Sequence, residues 1–416
     1  MRKIQLNDGV CLHIENTNKF KDVTISVRFL APFTKECPTL RSLLGMMLVD
    51  RTNTYDTKLK LQKQLDYLYG ANLYYKVTGY GKGHVLEIKS QVLNERYTNQ
   101  SLLKEQFELL YEVLEKPLLN ETTFQEAKRI LKEKFERLLD TPSSYASKKL
   151  LEEGAKGDTL SIHAAGDLDV IETVTLDDVK KEYDGLLHDN RVDIFVIGDV
   201  NEDEVVALCN EYFHFSCIQE FESFYKIQSQ EYAMSSEKKD IQQSILSLLY
   251  RTQITISDHD YWTLRVLNGM FGAFPTSYLF QEVREKRSLC YSIYSSIIAY
   301  DGALVVQTGI DVDKVDLVVS LIQEQLQRIQ NFEFTEELVD TTKEMLKNGL
   351  LTIEDSVSSL IGLGYQNQLL NKNQSLVDFI SSIDKVSSED LVRVAKQLEL
   401  QYTFVLEQEN VNEEEL

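Results

Sequence analysis

The sequence predicts an α+β protein built twice: two homologous domains, each a mostly antiparallel sheet covered by helices. Two observations carry this. Short runs with apolar residues at every second position, joined by Gly-containing turns, are interspersed with longer runs of three- and four-residue apolar spacing; these are the strand and helix periods. The pattern also recurs. Val174-Thr175-Leu176-Asp177-Asp178-Val179 reappears as Val386-Ser387-Ser388-Glu389-Asp390-Leu391 at an offset of 212 residues, and LYGANLYY at 68–75 is matched by RSLCYSIY at 287–294. Self-similarity over about half the chain marks an internal duplication.

In the first half, the turn Asn7-Asp8-Gly9 precedes a strand expected over 10–14, and Val23, Ile25, Val27 and Phe29 alternate with polar residues in a second, half-buried strand. Residues 38–50 form an almost continuous apolar run of helical length. A helix over 57–69 carries Leu59, Leu61, Leu65 and Leu68 as its apolar set and is stopped by Gly70. Strands over 72–78 and 85–91 are joined by a Gly-rich turn at 79–83, and long amphipathic helices follow over 102–114 and 120–139. Pro142 marks a break, and a helix over 145–153 leads to a loop at 154–168. Thr175 opens a helix to residue 187, with Asp177 and Asp178 in the first turn, where the helix dipole favours negative charge. An apolar strand over 192–197 closes the half.

Residues 214–240 are polar and aromatic without a clear period, which makes them a linker between domains 1–213 and 241–416. The second half then repeats the scheme. A strand over 241–250 and a helix over 261–270 are followed by a turn at 269–275, a helix ending near Lys286 and a strand over 289–294. Asp301-Gly302 is a hairpin signal, and 303–310 is the returning strand. Helices are expected over 314–329, 336–351 and 357–370, another starts within 386–391, and 402–406 is the last strand. The tail NVNEEEL is acidic and expected to fray.

Charge excludes several function classes. Lys plus Arg number 44 and Asp plus Glu 66, for a net charge of -22. That argues against nucleic acid, whose binding depends on neutralising phosphates, and against an anionic membrane surface. No apolar run long enough to span a membrane exists, and no apolar stretch follows the start MRKIQLNDGV, so no targeting segment is expected. The five cysteines, Cys11, Cys37, Cys209, Cys217 and Cys290, are scattered without a Cys-x-x-Cys pair, which points to reduced thiols in a cytoplasmic protein.

The chain is organised around GMFGAFPTSYLFQEVREKRSLCYSIY at 269–294. Its helix-to-strand order puts Arg284 on the last turns of a helix and Tyr291 near the start of the next strand, so a short connection brings both polar heads to one surface. On residue type and spacing alone, a surface Arg and a cross-strand Tyr are the simpler reading. The stretch resembles, however, the C-terminal-domain signature of the pitrilysin-like zinc peptidases, the family of insulin-degrading enzyme and the mitochondrial processing peptidases. That signature matches here at Ser277, Leu279, Phe280, Arg284, Glu285, Leu289 and Tyr291. The resemblance reverses the odds for Arg284 and Tyr291, because in the family an Arg and a Tyr at this interval hold the substrate at the cleavage site. Ser288 departs from the pattern, since relatives usually carry Gly there. Leu6-Asn7-Asp8-Gly9 and the segment 166–198 extend the resemblance over nearly the whole chain, and the fold it implies is the pitrilysin-like one.

Active members carry His-x-x-Glu-His on the first helix, where two His on one face bind zinc and the Glu is the general base. The corresponding helix here reads PTLRSLLGMMLVDRT, with neither His nor Glu, and none of the six His of the chain forms His-x-x-x-His. The family's further Glu ligand maps to ILKEKFERLLDTP, where register places Lys134, with Glu133 and Glu136 close by. No metal ligand set and no cofactor site is therefore expected in this chain. Other candidates have structural explanations: Asp258-His259-Asp260 as the cap of the following helix, His188-Asp189-Asn190 as a turn, Gly269–Gly272 as a turn without a Walker Lys, and Met46 and Met47 as core.

The resemblance thus implies a non-catalytic, substrate-binding subunit of a heterodimeric zinc peptidase, like the bacterial subunits that lack the zinc motif and keep the Arg/Tyr pair. Arg284 and Tyr291 would contact peptide substrate and oxyanion, and the zinc would sit in a paralogous partner chain. The alternative is an inert structural or binding scaffold of the same fold.

Overall fold

The computed structural model describes residues 1–217 and 222–409, in two compact units. The acidic tail at 410–416 lies outside the described residues.

The first unit comprises Met1–Glu136, His163–Ser223 and Val357–Leu369. Its sheet is formed by β1 (Arg2–Asn7), β2 (Val10–Asn16), β3 (Asp22–Pro32), β4 (Asn72–Tyr80), β5 (Gly83–Leu93) and β6 (Arg191–Gly198), in the order β1-β2-β6-β3-β5-β4. Only β2 and β6 pair in parallel. The alternation in β3 explains its two faces. Val23, Ile25, Val27 and Phe29 join the main core with α1 (Cys37–Leu48), α3 (Leu102–Glu115), α4 (Glu121–Asp140), α7 (Leu176–His188) and α8 (Glu202–Tyr212). α2 (Lys58–Tyr67) adds one buried residue to it, Leu61, and α6 (Leu168–Thr173) adds Val170 and Ile171. The opposite face carries Ser26, Arg28, Glu87 and Lys89. It is buried as well, against Ile361 and Tyr365 of a helix at Val357–Leu369 in the second half of the sequence.

The second unit takes Arg137–Ile162, Phe224–Ser356 and the described chain from Leu370. Its strands are β7 (Ala233–Lys239), β8 (Ser244–Arg251), β9 (Ile293–Ile298), β10 (Ala303–Ile310) and β11 (Glu399–Gln408), ordered β7-β11-β8-β10-β9 with one parallel pair, β7 and β11. This order matches β2-β6-β3-β5-β4 strand for strand. The helix covering one face, α5 (Pro142–Gly154), comes from the first half of the sequence: Ala146 and Leu150 pack with Leu249, Phe404 and Leu406. The remaining helices are α9 (Tyr261–Asn268), α10 (Val315–Gln330), α11 (Glu336–Leu351), α13 (Leu376–Asp384) and α14 (Ser388–Ala395), with Val357–Leu369 numbered α12.

The duplication reaches single hydrogen bonds. Thr175 and Asp178 form a capping box on α7, and Ser387 and Asp390 form its counterpart on α14. In the first unit Lys128 donates to the carbonyls of Glu172 and Val174; in the second, Lys343 donates to those of Asp384 and Val386. Each lysine closes the helix that precedes the capping box onto the long helix that follows the sheet.

The structure departs from the sequence reading at specific places. The stretch 214–240 is not all connector, because Ala233–Lys239 is a strand; its partner lies on one side only, so it needs no apolar alternation. α8, capped by Asn201, and α13, opened by a Ser375/Asp378 capping box, were not anticipated despite these start signals. Pro142 begins α5 at its first turn, where a missing N–H costs nothing.

Candidate functional site

In the first unit the helix in the zinc-motif position is almost wholly buried. Arg41 has no exposed surface. Its guanidinium donates to Glu182 Oε1 at 2.7 Å, to the carbonyls of Phe29 at 2.8 Å and His84 at 2.6 Å, and to Asn190 Oδ1. Burial, followed by the nearby Arg41 charge, pushes the His84 pKa down to about 3 against the pull of its bond to the Ala164 carbonyl. On α1, a Cβ at Gly45 would come within 2.3 Å of the Tyr75 ring, so glycine is what lets β4 lie close. Lys134 Nζ, at the expected third-ligand register, sits 5.8 Å from the centroid of that same ring, while Glu133 is taken by Arg129. In this region the carboxylates of Glu182 and Glu133 are paired with arginines, and the guanidinium of Arg41 and the ammonium of Lys134 are cations that repel a zinc ion. Among the described residues no group of three or more His, Cys, Asp or Glu is placed to hold a metal.

The other candidates resolve into structural roles. Asp260 does not cap α9 through its side chain, as the sequence reading expected. It makes a bidentate pair with Arg393 of α14 at 2.6 and 2.8 Å, which holds its carboxyl below the usual range, and His259 is fully exposed. Asn190, in the expected turn after α7, is the buried acceptor for Arg41. Met46 and Met47 are core. Gly269–Ala273 is not a turn but a π-helical continuation of α9. Its glycines have steric reasons: a Cβ would meet Thr342 Cγ2 at 2.5 Å from Gly269 and Ser295 Oγ at 2.6 Å from Gly272.

Arg284 and Tyr291 do come together in the second unit. The segment is helical from Tyr278, with a π-helical stretch over Phe280–Glu285 and an i to i+5 bond from Lys286 N–H to the Gln281 carbonyl. Leu279 and Val283 are fully buried and anchor it, which leaves Phe280 and Arg284 on the other side. The chain reverses at Ser288, a non-glycine residue with φ +51°, and Leu289 N–H bonds back to the Val283 carbonyl at 3.1 Å. That back-bond delays the strand: β9 starts at Ile293, not at Leu289 as expected, and Tyr291 stands before the ladder with 83% of its surface exposed. The Arg284 Cζ lies 5.7 Å from the Tyr291 ring centroid and 4.4 Å from that of Phe280. Its one carboxylate neighbour among the described residues is Glu285, at a loose 3.7 Å. A guanidinium and a phenol side by side, with donors uncommitted, suit a peptide carbonyl or an oxyanion. The sequence matches Phe280 to the family signature and groups it with Leu279 and Val283 on the apolar side; the structure sets it instead beside Arg284.

A family profile described as "Peptidase M16 inactive domain" matches residues 173–346. A probable inactive metalloprotease of Bacillus subtilis, YmfF, is 32% identical over 410 residues, covering 96% of each chain. An uncharacterized zinc protease of the same organism, YmxG, is 30% identical over 166 residues, covering 39% of this chain and 40% of that protein. Among solved structures, a conserved protein from Enterococcus faecalis V583 superposes with a TM-score of 0.91 at 32% identity, covering 98% of this chain and 99% of that one. Such similarity along the full length of both sequence and fold places the chain in the pitrilysin-like (M16) metallopeptidase family, to which it belongs as an inactive metalloprotease-like member.

Proposed function

We propose that this chain is the non-catalytic, substrate-binding subunit of a heterodimeric zinc peptidase. It lends Arg284 and Tyr291 to an active site whose zinc is held by a paralogous partner, and it needs no cofactor of its own. The observation that carries the reading is the juxtaposition of an exposed Tyr291 with an Arg284 that makes no hydrogen bond among the described residues and only a loose 3.7 Å approach to Glu285, in a chain whose α1 carries neither His nor Glu. One organism holding both a probable inactive metalloprotease and a zinc protease similar to this chain supports the idea of a pair. Arg284 orients the peptide backbone, and Tyr291 donates to the oxygen that gains charge as the scissile carbonyl is attacked.

The test is co-expression of the chain with the zinc-motif paralogue of its own genome, followed by sizing and cleavage of unstructured, internally quenched peptides. A mixed dimer is expected, active only when both chains are present, and the isolated chain is expected to bind no stoichiometric zinc by metal analysis. Tyr291→Phe, which removes one hydroxyl and little volume, should lower turnover by about 100- to 1,000-fold with pairing intact. Two separate species, or a paralogue fully active alone, would favour the inert-scaffold alternative.

A further inference from the structure

We infer that Phe280 is a positioning residue for Arg284. Its ring holds the guanidinium by one face, so that the in-plane N–H donors stay uncommitted until a peptide arrives. This deepens the reading of Arg284 as a substrate contact and rests on it.

A long, charged side chain that must meet a substrate poses a problem of order. Left free, Arg284 would lose its rotamer freedom only on binding and weaken the complex accordingly. Tied to a carboxylate, it would be ordered, but its donors would be spent. The second unit shows that second solution elsewhere. Arg328 also stacks on an aromatic ring, 4.4 Å from the Tyr278 centroid, yet its Nη1 is engaged by Glu282 at 3.2 Å and Gln325 at 2.9 Å. Arg393 is likewise engaged by Asp260 and Asp390. Arg284 is held differently. Its guanidinium lies 4.4 Å from the Phe280 centroid with Tyr291 at 5.7 Å, its side chain is one-third exposed, Glu285 Oε1 stands 3.7 Å from its Nε, beyond hydrogen-bond distance, and no hydrogen bond from it is found among the described residues. A ring attracts a guanidinium through its face and leaves the edge, where the donors are, untouched.

Phe280 is itself fixed. It sits in the π-helical turn between the fully buried Leu279 and Val283, and its N–H approaches the buried Ser277 hydroxyl at 3.4 Å. Phe280 and Arg284, four residues apart, lie on one side of this turn. Phe280 therefore connects the rigid side of this segment to the group that faces solvent.

The test uses the full chain and its complex with the zinc-bearing paralogue. In the chain alone, the Nε–Hε resonance of Arg284, assigned by its loss in Arg284→Lys, should carry a ring-current shift. Phe280→Leu should remove most of that shift, leaving the smaller part from the more distant Tyr291 ring, and Phe280→Tyr should keep it. In the complex, Phe280→Leu should lower kcat/KM for the quenched peptides. The expected loss lies between about 5-fold, the worth of an exposed cation–π contact, and about 100-fold, the cost of misplacing a contact by an ångström. Phe280→Tyr should restore most of it. In an Arg284→Ala background Phe280→Leu should have no further effect, because a residue that acts through another is silent once that other is gone. Equal losses from Phe280→Leu in both backgrounds would show that the ring acts through packing and overturn the proposal. So would a largely lost ring-current shift with cleavage unchanged, while Arg284→Ala still impairs it; the subunit reading would then stand. If Arg284→Ala leaves cleavage intact, the subunit reading fails and the positioning role fails with it.

Discussion

Ser288 and Asp301 show how much single residues cost this fold. Ser288 adopts φ +51° at the reversal between Arg284 and Tyr291, a region where an L side chain is strained by about 1–2 kcal/mol. Glycine relieves that strain but adds unfolded-state entropy, about 0.5–1 kcal/mol. Ser288→Gly is therefore expected to stabilise the protein by roughly 1 kcal/mol or less, seen as a small rise in Tm; a fall would show that the Ser side chain supports the turn. Asp301, in the β9–β10 hairpin, is buried, and burial lifts its carboxyl to about 7, with Asp158 adding to the rise and the Tyr225 hydroxyl opposing it. A carboxyl whose folded pKa lies above its unfolded one contributes stability at low pH that is lost as pH climbs from about 4 through 7. Asp301→Asn should thus match wild type in Tm near pH 4 and exceed it at pH 8, by up to ~4 kcal/mol in stability. A difference that does not change with pH would refute the assignment.

At the scale of elements, α1 is the one whose chemistry changed most relative to a zinc-binding helix. The sequence reading recognised the absence of ligands. It did not anticipate that Arg41 would be drawn inside, because a single Arg in an apolar run looks like a surface residue. What buries it is a cage of acceptors from β3, β5, α7 and the turn after it: the carbonyls of Phe29 and His84, Glu182 and Asn190. Those acceptors lie up to 149 residues from Arg41 in sequence. Arg41→Leu would leave them without their donor, so a loss of about 3–5 kcal/mol is expected, read as a lower urea midpoint. Lys at this position should recover only part of it, since an ammonium cannot reproduce the planar fork.

For the whole molecule, the interleaving of the two units matters most. Residues 142–154 belong to the second unit and 357–369 to the first, so each half of the sequence supplies a helix to the other half's sheet. Fragments 1–213 and 241–416 should each fail to fold cleanly alone. The first would expose the sheet face bearing Arg28, Glu87 and Phe195, and the second the face bearing Leu249 and Phe404. Dye binding to exposed apolar surface and sizing are the readouts, with recovery of a compact 1:1 species expected when the fragments are co-expressed. Stable, monomeric fragments would show that the exchanged helices are dispensable.

The sequence by itself determined the class of fold, its duplication and the nearness of Arg284 to Tyr291. Each of those rests on local signals: periodicity, caps and a spacing of seven residues. The missing zinc motif was equally local, because a metal-binding helix must carry its ligands within two turns. Only the tertiary structure decided the exchange of α5 and α12, the π-helical form of the segment that carries Arg284, the burial of Arg41 and the late start of β9. The physical reason is the same in each case. β9 starts late because Leu289 bonds back to Val283, and Arg41 enters because distant carbonyls need a donor. Such outcomes are set by partners far away in the chain, which a local pattern does not name.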